Sequence, residues 1–476
     1  METEQNTLES TPSTPITRRQ ALKYIGFGAV GVAVAAGTYE GGKRYQGVKR
    51  FLPAGATVEE SDLDWQVVTR KDPVTGADIS LLAFGCMRLP LVEQGKPEID
   101  EAQALELIDY AYKHGVNYFD TAWFYHQGLS ELFVGKALSR YPRESFYIAD
   151  KMPGRLIESL DHAKEVFAKQ LEKCQTEYFD FYLLHSVGKT EDYTRVYEQY
   201  GVLKYLLEEK AKGRIKRLGL SFHGDKKDFT WFLDKHKWDF VMIQANYFDW
   251  KEGSDDALQK DVNRRGVGDG EYLYSEVEKR NMPCMIMEPV RGGMLATLNP
   301  DAREVFHQAA PKRSPASWAV QWIASKPNVL TVLSGMSNME QVRDNVRTLS
   351  STHFHTMTDD ENQTVGKALA AFQRVKPVPC TECEYCMPCP AGVNIPMVFK
   401  NYNKCVSESN IPDLATKGSK DFRQKRNAFL ASHFVMDEPL RADRCTSCNH
   451  CLSLCPQHIP ITDNMMKIKD LVSALT

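Results

Sequence analysis

Two short runs near the C-terminus hold eight of the 12 cysteines in this chain of 476 residues. The first run is CTECEYCMPCP, from Cys380 to Pro390, with the spacing C-x2-C-x2-C-x2-C-P. The second is CTSCNHCLSLCP, from Cys445 to Pro456, with the spacing C-x2-C-x2-C-x3-C-P. Thiolates placed this densely are expected to bind metal, and the candidate ligands are Cys380, Cys383, Cys386, Cys389, Cys445, Cys448, Cys451 and Cys455.

Cysteines at such short spacing serve three kinds of chemistry. A cubane of four irons takes three thiolates from one such loop, and the Cys-Pro closes the turn while its thiolate reaches another cluster. A single zinc ion needs only four ligands, often two C-x2-C pairs or cysteine with histidine, and each run alone supplies four. Disulfides suit an exported protein, but neighbours at C-x2-C spacing rarely form frameworks of that kind. The second run has the spacing of bacterial ferredoxins, so the sequence predicts two [4Fe-4S] clusters.

The two runs are expected to share their ligands. By the rule for two-cluster ferredoxins, the last cysteine of each run binds the cluster of the other run. One cluster is then held by Cys380, Cys383, Cys386 and Cys455, and the other by Cys445, Cys448, Cys451 and Cys389. The residues between the runs have helical patterns, so the region resembles helical dicluster ferredoxin domains, and Cys405 within it is interpreted as a core thiol. The shorter spacing of the first run departs from the ferredoxin pattern, which leaves the type of its cluster open.

A second set of reactive side chains stands at the ends of three successive apolar runs. Asp120 ends the run that begins at Val116, Tyr125 follows in its loop, Lys151 ends the next run, and His185 the one after that. Lys151, held by Asp120, is expected to lower the pKa of Tyr125 so that the phenol donates a proton, while His185 orients a carbonyl or shares the proton. Taken singly, these residues suit a helix cap, a loop aromatic, a surface cation and a core histidine. Their succession on strand ends favours a proton-transfer site.

The elements that must position this set alternate between strand and helix. Apolar runs of strand type begin near Ile79, Val116, Ser145, Phe179, Ile215, Phe240, Pro283 and Asn328. Helical periodicity separates them, and no G-x-G-x-x-G follows any run, so the pattern predicts a closed (β/α)8 TIM barrel rather than an open doubly wound sheet. A hairpin turning at residues 74–76 is expected to cover one end of it. In such a barrel the carboxyl ends of the strands converge on one site.

The segments NYFDTAWFY, YIADK and DFYLLH resemble the catalytic segments of the aldo/keto reductase family, and the similarity extends from about Trp65 to Leu349. This resemblance implies that Asp120, Tyr125, Lys151 and His185 form a catalytic tetrad. It implies hydride transfer between a nicotinamide cofactor, NAD(P)H, and a small carbonyl or alcohol, with Tyr125 protonating the developing alkoxide.

The same resemblance implies a set of cofactor contacts. Ser221 and Gln244 would hold the nicotinamide amide, Tyr247 would lie beneath the ring, and Gly292 and Gly293 would form the pyrophosphate loop. The adenosine would be surrounded by Gly335, Ser337, Gln341 and Asn345. Well-known NADPH-dependent members have basic residues where Gly335 and Gln341 stand, so NADH is expected to bind at least as well as NADPH, unless another residue such as Arg343 supplies the charge.

The N-terminus resembles a twin-arginine export signal. Arg18-Arg19 and Lys23 precede the mildly apolar stretch YIGFGAVGVAVAAG, although Ala21 stands where such signals usually carry a bulky apolar residue. The expectation is a protein exported to the periplasm or anchored on the outer face of the inner membrane. The net charge of -3, with 25% charged residues, gives no basic field of the kind that nucleic acid needs.

The sequence therefore predicts three parts: residues 1–40 as signal or anchor with a linker, 60–355 as the barrel, and 356–476 as the iron-sulfur domain. The main hypothesis is an oxidoreductase whose clusters relay electrons to or from a redox partner protein or a quinone. The alternative is an electron-transfer or binding protein in which the barrel is a non-catalytic scaffold. Hydride carriers move two electrons together and cubanes move one, so something must divide the pair.

Overall fold

The computed structural model describes residues 64–93, 96–251, 269–373 and 377–476. The predicted export signal lies outside the described residues. Within the described part of the chain, no helix combines the length and apolar character that crossing a membrane would require.

Eight parallel strands close into a barrel, which confirms the predicted (β/α)8 fold. They are β3 (Leu82–Gly85), β4 (Tyr118–Asp120), β5 (Tyr147–Met152), β6 (Phe179–Val187), β7 (Ile215–Phe222), β8 (Phe240–Gln244), β9 (Cys284–Met287) and β10 (Val329–Ser334), and β10 pairs with β3. They are preceded by an antiparallel hairpin of β1 (Thr69–Lys71) and β2 (Asp78–Ser80), as predicted. Arg70 of the hairpin donates to the carbonyl oxygens of Ala324 and Lys326, just before β10, so the hairpin lies at the amino end of the barrel.

Helices alternate with the strands at the predicted places. They are Glu101–Lys113, Leu129–Leu138, Leu160–Lys173, Val202–Ala211, Lys226–Asp234, Gly270–Lys279, Pro300–Ala309, Pro315–Ala324, Met339–Thr348 and Asp359–Gln373, with short helical segments at Thr190–Tyr193 and Thr194–Gln199. Polar side chains cap the starts of some of them: Asp100 accepts from the Gln103 amide and Ser314 from the Ser317 amide. Capping fixes where each helix begins, and so how the preceding loop leaves its strand.

Alternation along the strands divides the core into two layers. On β6, Phe181 and Leu183 belong to the cluster inside the barrel, whereas Tyr182 and Leu184 belong to the layer between strands and helices. Apolar residues of helix Asp359–Gln373 pack into this outer layer. The predicted boundary between residues 355 and 356 stays a prediction.

Residues 377–476, here called the cluster module, form a second core of their own. Their helices are Ile395–Ser407, Lys420–Phe434 and Ile461–Leu475, with short 3-10 segments at Leu414–Thr416, Glu438–Leu440, Ala442–Arg444 and His450–Leu452. Cys405 is a buried free thiol within it, as are Cys86, Cys174 and Cys284 within the barrel. The described residues of the module contain helices and loops but no strand, in agreement with the predicted helical iron-sulfur domain.

Candidate active site at the barrel mouth

Asp120, Tyr125 and Lys151 meet at the carboxyl ends of β4 and β5. Lys151 is 1% exposed, and its ammonium group donates to Asp120 Oδ1 at 2.5 Å and to the Thr121 carbonyl oxygen at 2.7 Å. A third contact, 3.3 Å long, joins it to the Tyr125 hydroxyl. Residues 126–128 all have positive φ, so the chain turns sharply after Tyr125 and holds the phenol over the strand ends. The result is a buried cation that links a carboxylate to a phenol.

The proton affinities of the carboxylate and the phenol are set mainly by burial. Burial raises the pKa of Asp120, and the charge of Lys151 opposes that rise. Burial, followed by the charges of Asp120 and Glu288, also raises the pKa of Tyr125 well above its ordinary value. The direction is opposite to the lowered pKa that the sequence predicts, because loss of solvent around the hydroxyl and the nearby negative charges both raise the pKa. Tyr125 is therefore protonated at neutral pH and is a hydrogen-bond donor there.

His185, the fourth predicted residue, ends the regular part of β6 and lies beside Tyr125. The two ring centroids are 6.1 Å apart and the rings are nearly perpendicular. Burial, followed by the charge of Lys151, lowers the pKa of His185 well below its ordinary value, so the imidazole is neutral. Among the described residues its Nδ1 atom has no hydrogen-bond partner. The structure thus brings all four predicted residues together.

A cavity of about 360 Å³ opens beside His185. One wall comes from the barrel and carries the cationic side chains of Arg155, Lys189 and Arg195. Other lining residues come from the cluster module and include Cys455 and His458. A predicted catalytic residue and a predicted cluster ligand therefore line one space.

The predicted cluster ligands fall into two groups in space. Burial raises the pKa of the Cys386 thiol, and the charges of Cys383, Cys380 and Cys455 add to the rise, so these four are neighbours. For Cys451, burial raises the pKa to about 11, and the neighbouring charges are those of Cys389, Cys445 and Cys448. The same four, Cys389, Cys445, Cys448 and Cys451, line a second cavity. The last cysteine of each run thus lies with the other run, in the arrangement that the interlocked assignment requires.

The surroundings of the first group fit an anionic iron-sulfur cluster. The guanidinium of Arg291 is fully buried and lies near Cys380 and Cys455. Burial lowers its pKa to about 9, and the charges of the two cysteines oppose that decrease. Arg291 forms an ion pair with Asp249. Within the described part of the chain its Nε and Nη2 atoms have no hydrogen-bond partner. A buried cation with unused donors beside clustered thiolates is suited to a bound anionic group.

The residues predicted to hold the nicotinamide are engaged by other protein groups. Gln244 donates to Gln457 Oε1 at 2.9 Å and accepts from Gln457 Nε2 at 3.0 Å, so both ends of its amide face the cluster module. Ser221 is 1% exposed and its hydroxyl accepts from the Ser186 amide at 2.8 Å. Tyr247 is also buried and packs against the edge of Trp322. Gln244 and Ser221 thus bond to protein partners, whereas the buried Tyr247 hydroxyl has no hydrogen-bond partner among the described residues.

The predicted pyrophosphate loop is covered in the same way. Gly292 has φ +62°, and a Cβ atom there would lie 2.5 Å from the Cα atom of Thr381 in the module. Gly293 has φ +96° and open space around that position. At Gly335 the equivalent position is filled by the side chain of Arg88, 3.0 Å away, and this Arg88 also donates to the Thr381 carbonyl oxygen. The backbone of the module therefore lies directly on the glycine loop.

The other predicted adenosine contacts form hydrogen bonds within the barrel. The Ser337 amide donates to the Gln341 side chain at 2.8 Å, and both residues are exposed or partly exposed. Asn345 is buried and donates to the Ser334 hydroxyl at 2.8 Å. Module atoms contact Gln244 and Gly292, so at these two of the predicted positions the residues present do not fit a nicotinamide nucleotide.

Sequence reasoning missed the residues that join barrel and module. Thr381 and Gln457 stand one or two positions from cysteine ligands, and Tyr385 lies between two of them. The hydroxyl of Tyr385 is near that of Tyr125. Burial raises the pKa of Tyr385, and the charge of Tyr125 raises it further. The ring of Tyr385 also lies 5.4 Å from the guanidinium of Arg155. One sequence signal was the run EPVRGG. Its Arg291 follows the carboxyl end of β9, which marked it as a residue of the barrel mouth.

Comparison with known proteins agrees with this architecture. A model of the aldo/keto reductase family matches residues 81–369, and a model of the 4Fe-4S dicluster domain matches residues 379–459. The chain belongs to the aldo/keto reductase family, and its relatives indicate an oxidoreductase. It combines the family's barrel with a C-terminal 4Fe-4S dicluster domain.

Three similar proteins show the extent of the likeness. A protein of Glycine max, "Probable aldo-keto reductase 1", is 35% identical over 154 residues, which cover 31% of this chain and 42% of that protein. The "NADH-specific methylglyoxal reductase" of Escherichia coli is 25% identical over 313 residues, covering 59% of this chain and 94% of that one. An aldo-keto reductase structure from Bacillus halodurans has a TM-score of 0.50 at 24% identity, covering 64% of this chain and 96% of that chain, and shows the fold alone.

Proposed function

We propose that this chain is an oxidoreductase that interconverts a small carbonyl compound and its alcohol at Tyr125, with two iron-sulfur clusters that exchange electrons with an external partner. The observation that carries the proposal is the shared cavity, which both His185 and Cys455 line. A scaffold would not require a catalytic histidine and a cluster ligand to face one space.

Each member of the tetrad has a distinct part in this chemistry. Tyr125, protonated at neutral pH, donates its proton to the oxygen of the reduced carbonyl. Lys151 stabilises the phenolate that forms, and Asp120 holds the ammonium group in place. The neutral His185 orients the carbonyl oxygen toward Tyr125.

The clusters would be held by the two cysteine groups described above, Cys380, Cys383, Cys386 and Cys455 at the barrel mouth, and Cys389, Cys445, Cys448 and Cys451 farther out. When bound, such clusters supply one-electron transfer. Cys448 is exposed, whereas Cys386 and Cys455 are buried. The outer group is therefore placed to meet a redox partner, either a protein or a quinone.

The cavity wall favours a polar substrate. Arg155, Lys189 and Arg195 bring three cations, against the two carboxylates of Asp192, which pairs with Arg195 at 2.9 Å, and Asp225, so one positive charge remains. A carbonyl compound that also carries an anionic group would gain from the remaining charge. We propose a substrate of that kind.

A second candidate is reduction with NAD(P)H as co-substrate. Membership of the family favours it, and one relative is named as an NADH-specific reductase. The absence of basic side chains at Gly335 and Gln341 leaves NADH expected to bind at least as well as NADPH. The covered glycine loop argues against this candidate.

Export by the twin-arginine route, with the protein periplasmic or attached to the outer face of the inner membrane, stays a proposal that rests on Arg18-Arg19 and the stretch after them. Fractionation of cells that carry the protein, with an Arg18→Lys, Arg19→Lys variant as control, tests it. Loss of the periplasmic or membrane fraction in the variant is the expected result, and an unchanged distribution would contradict it.

Steady-state turnover tests the function. Anaerobically purified protein should reduce carbonyl compounds with a reduced viologen as electron donor, and Tyr125→Phe should lower the rate by about 10²–10⁴-fold. Tyr272→Phe, an exposed tyrosine on helix Gly270–Lys279, is the matched control and should leave the rate unchanged. Full turnover in Tyr125→Phe, or no turnover of any carbonyl by the parent protein, would contradict the proposal.

A further inference from the structure

At the barrel mouth the cluster module contacts residues that the family resemblance assigns to the nicotinamide cofactor. The amide of Gln244 would recognise a carboxamide through one donor and one acceptor. In this chain the amide of Gln457, which has the same donor and acceptor, satisfies both at 2.9 and 3.0 Å. Gln457 is 6% exposed, so water does not compete for these hydrogen bonds. A protein amide stands where the cofactor's amide would stand.

The glycine loop gives a second, independent indication. A loop with successive positive φ angles at residues 291–293 presents its backbone closely to whatever lies above it. Here that neighbour is the backbone of Thr381, which Arg88 also holds through its carbonyl oxygen. Thr381 is 1% exposed. The cation and the open backbone that would suit a pyrophosphate are both used to seat the first cysteine run.

A third contact joins the module to the barrel, in addition to those of Gln457 and Thr381. The imidazole of His458 forms a hydrogen bond of 3.3 Å with the His223 carbonyl oxygen, next to the end of β7. Together with Gln457 and Thr381, it attaches the module at three points around the barrel mouth. The module could not be displaced by a nucleotide without breaking all three.

We propose that residues 380–389 and 455–458 take the place of the nicotinamide cofactor in this barrel, so that the chain does not use NAD(P)H and its substrate is a carbonyl compound of the quinone class. This inference rests on the proposed function for the identity of the reacting residues. The exclusion of the nucleotide rests on the contacts alone.

The substrate class follows from the kind of electron transfer available. A nicotinamide delivers a hydride, which any aldehyde or ketone can accept. Iron-sulfur clusters deliver single electrons, so a substrate must hold one unpaired electron between two transfers. A carbonyl conjugated through a ring, as in a quinone, spreads that electron over many atoms, whereas an isolated aliphatic carbonyl does not. A cavity of about 360 Å³ accommodates a one- or two-ring quinone with an anionic substituent.

The overall reaction balances without a nicotinamide. A quinone takes up two electrons and two protons and becomes a hydroquinone, while two equivalents of a reduced one-electron donor each lose one electron. Both carbonyl π bonds break, two O–H bonds form, and the ring becomes aromatic. One proton comes from the Tyr125 hydroxyl, which is restored from solvent, and the other comes from solvent.

Calorimetric titration of the full, cluster-loaded chain with NADH and with NADPH tests the exclusion. A loaded protein contains about eight irons per chain, which iron analysis verifies first. We expect no saturable binding below about 1 mM, the upper end of the usual KM range. A dissociation constant in the micromolar range for either nucleotide would overturn the inference, and the proposed function could still stand.

Hydrogen exchange tests whether the module is seated as described. Gln457→Ala removes both amide contacts to Gln244 and should speed exchange in residues 380–389 by roughly tenfold. Gln308→Ala, an exposed glutamine on helix Pro300–Ala309, is the matched control and should have no effect there. Equal exchange in both variants would show that the module does not depend on this contact.

Turnover with a reduced viologen then tests the substrate class. A sulfonated naphthoquinone should be reduced at least about a hundredfold faster than an aliphatic aldehyde of similar size. Equal or faster turnover of the aldehyde would overturn the quinone assignment. Loss of quinone turnover in Tyr125→Phe separates this outcome from failure of the proposed function, because that variant tests the tetrad with either substrate.

Discussion

The barrel and the cluster module position their reactive groups by different means. In the barrel, Asp120, Lys151 and His185 lie on strands and Tyr125 lies in the turn that follows β4. The strands are fixed by a ladder of parallel pairing and by two apolar layers. In the module most of the ligands stand on loops, and its small core includes three of them, Cys386, Cys451 and Cys455. The barrel can therefore hold its site with its own fold, whereas the module needs its metal to hold its loops.

Removal of the clusters should change the difference in stability between barrel and module more than any other change. Metal ligation contributes directly to the folding free energy of small domains, so metal-free protein should lose protection across residues 377–476 while the barrel stays folded. Hydrogen exchange followed by peptide mass analysis measures both regions in one sample. Full protection of the module without iron would show that its apolar core suffices, and the difference between the two regions would disappear.

Substitution of a single cysteine ligand compares the two clusters within the module. If Cys389 belongs with Cys445, Cys448 and Cys451, then Cys389→Ala should weaken the outer cluster and spare the one at the barrel mouth, leaving about four irons tightly bound. Cys386→Ala is the matched change and should weaken the inner cluster instead. Iron content and electron paramagnetic resonance of the reduced variants distinguish the two.

The reverse pattern would show that each run binds its own cluster. Reconstitution that yields about one zinc and no iron would contradict the electron-transfer role altogether and leave a barrel with a structural metal.

Two adjacent glycines test the contact between barrel and module. Both Gly292 and Gly293 have positive φ, so alanine strains the backbone at either position. Only at Gly292 would the new Cβ atom meet the module, 2.5 Å from the Cα atom of Thr381. Gly292→Ala should therefore cost about 1–3 kcal/mol more than Gly293→Ala in the free energy of opening of residues 377–389. Equal costs would mean that the module does not lie on the loop.

The pH dependence of stability gives the smallest expected effect. Burial, followed by the charges of Arg155, His458 and Lys151, lowers the pKa of His223 to about 3. In the unfolded chain this histidine has an ordinary pKa of about 6.5, so between pH 3 and about 6.5 the unfolded state binds more protons than the folded state. Its contribution to stability is complete above about pH 6.5 and declines as the pH falls toward 3.

His223→Gln should therefore make stability decline less steeply between about pH 6.5 and 5 than in the parent protein, as measured by urea unfolding. Parallel curves would show that His223 is accessible to protons in the folded protein, and that the module does not seal this side of the cavity.

The barrel was largely predictable from the sequence because its pattern is local. All eight predicted strands are present, from the one near Ile79 to the one near Asn328, because each apolar run is bounded by its own turn and helix signals. Asp120, Tyr125, Lys151 and His185 could be found because a barrel brings its strand ends to one place whatever the loops do.

The contacts between module and barrel mouth were not predictable, because no local sequence pattern indicates them. Gln244 and Gln457 are 213 positions apart, and a pair of glutamine side chains has no pattern that marks them as partners. The direction of the pKa of Tyr125 was missed for the same reason, since it depends on burial at a mouth that another domain covers. Sequence spacing found the ligands of each cysteine group but not what lies beside them.

Electron paramagnetic resonance of the dithionite-reduced protein tests the central claim most directly, since the claim is that His185 of the tetrad and Cys455 of the inner cysteine group line one cavity. Addition of the hydroquinone product should shift the signal of the cluster held by Cys380, Cys383, Cys386 and Cys455 and leave the outer signal unchanged, while NADPH should shift neither. A shift caused by NADPH, or no shift with a product whose quinone the protein reduces, would contradict it.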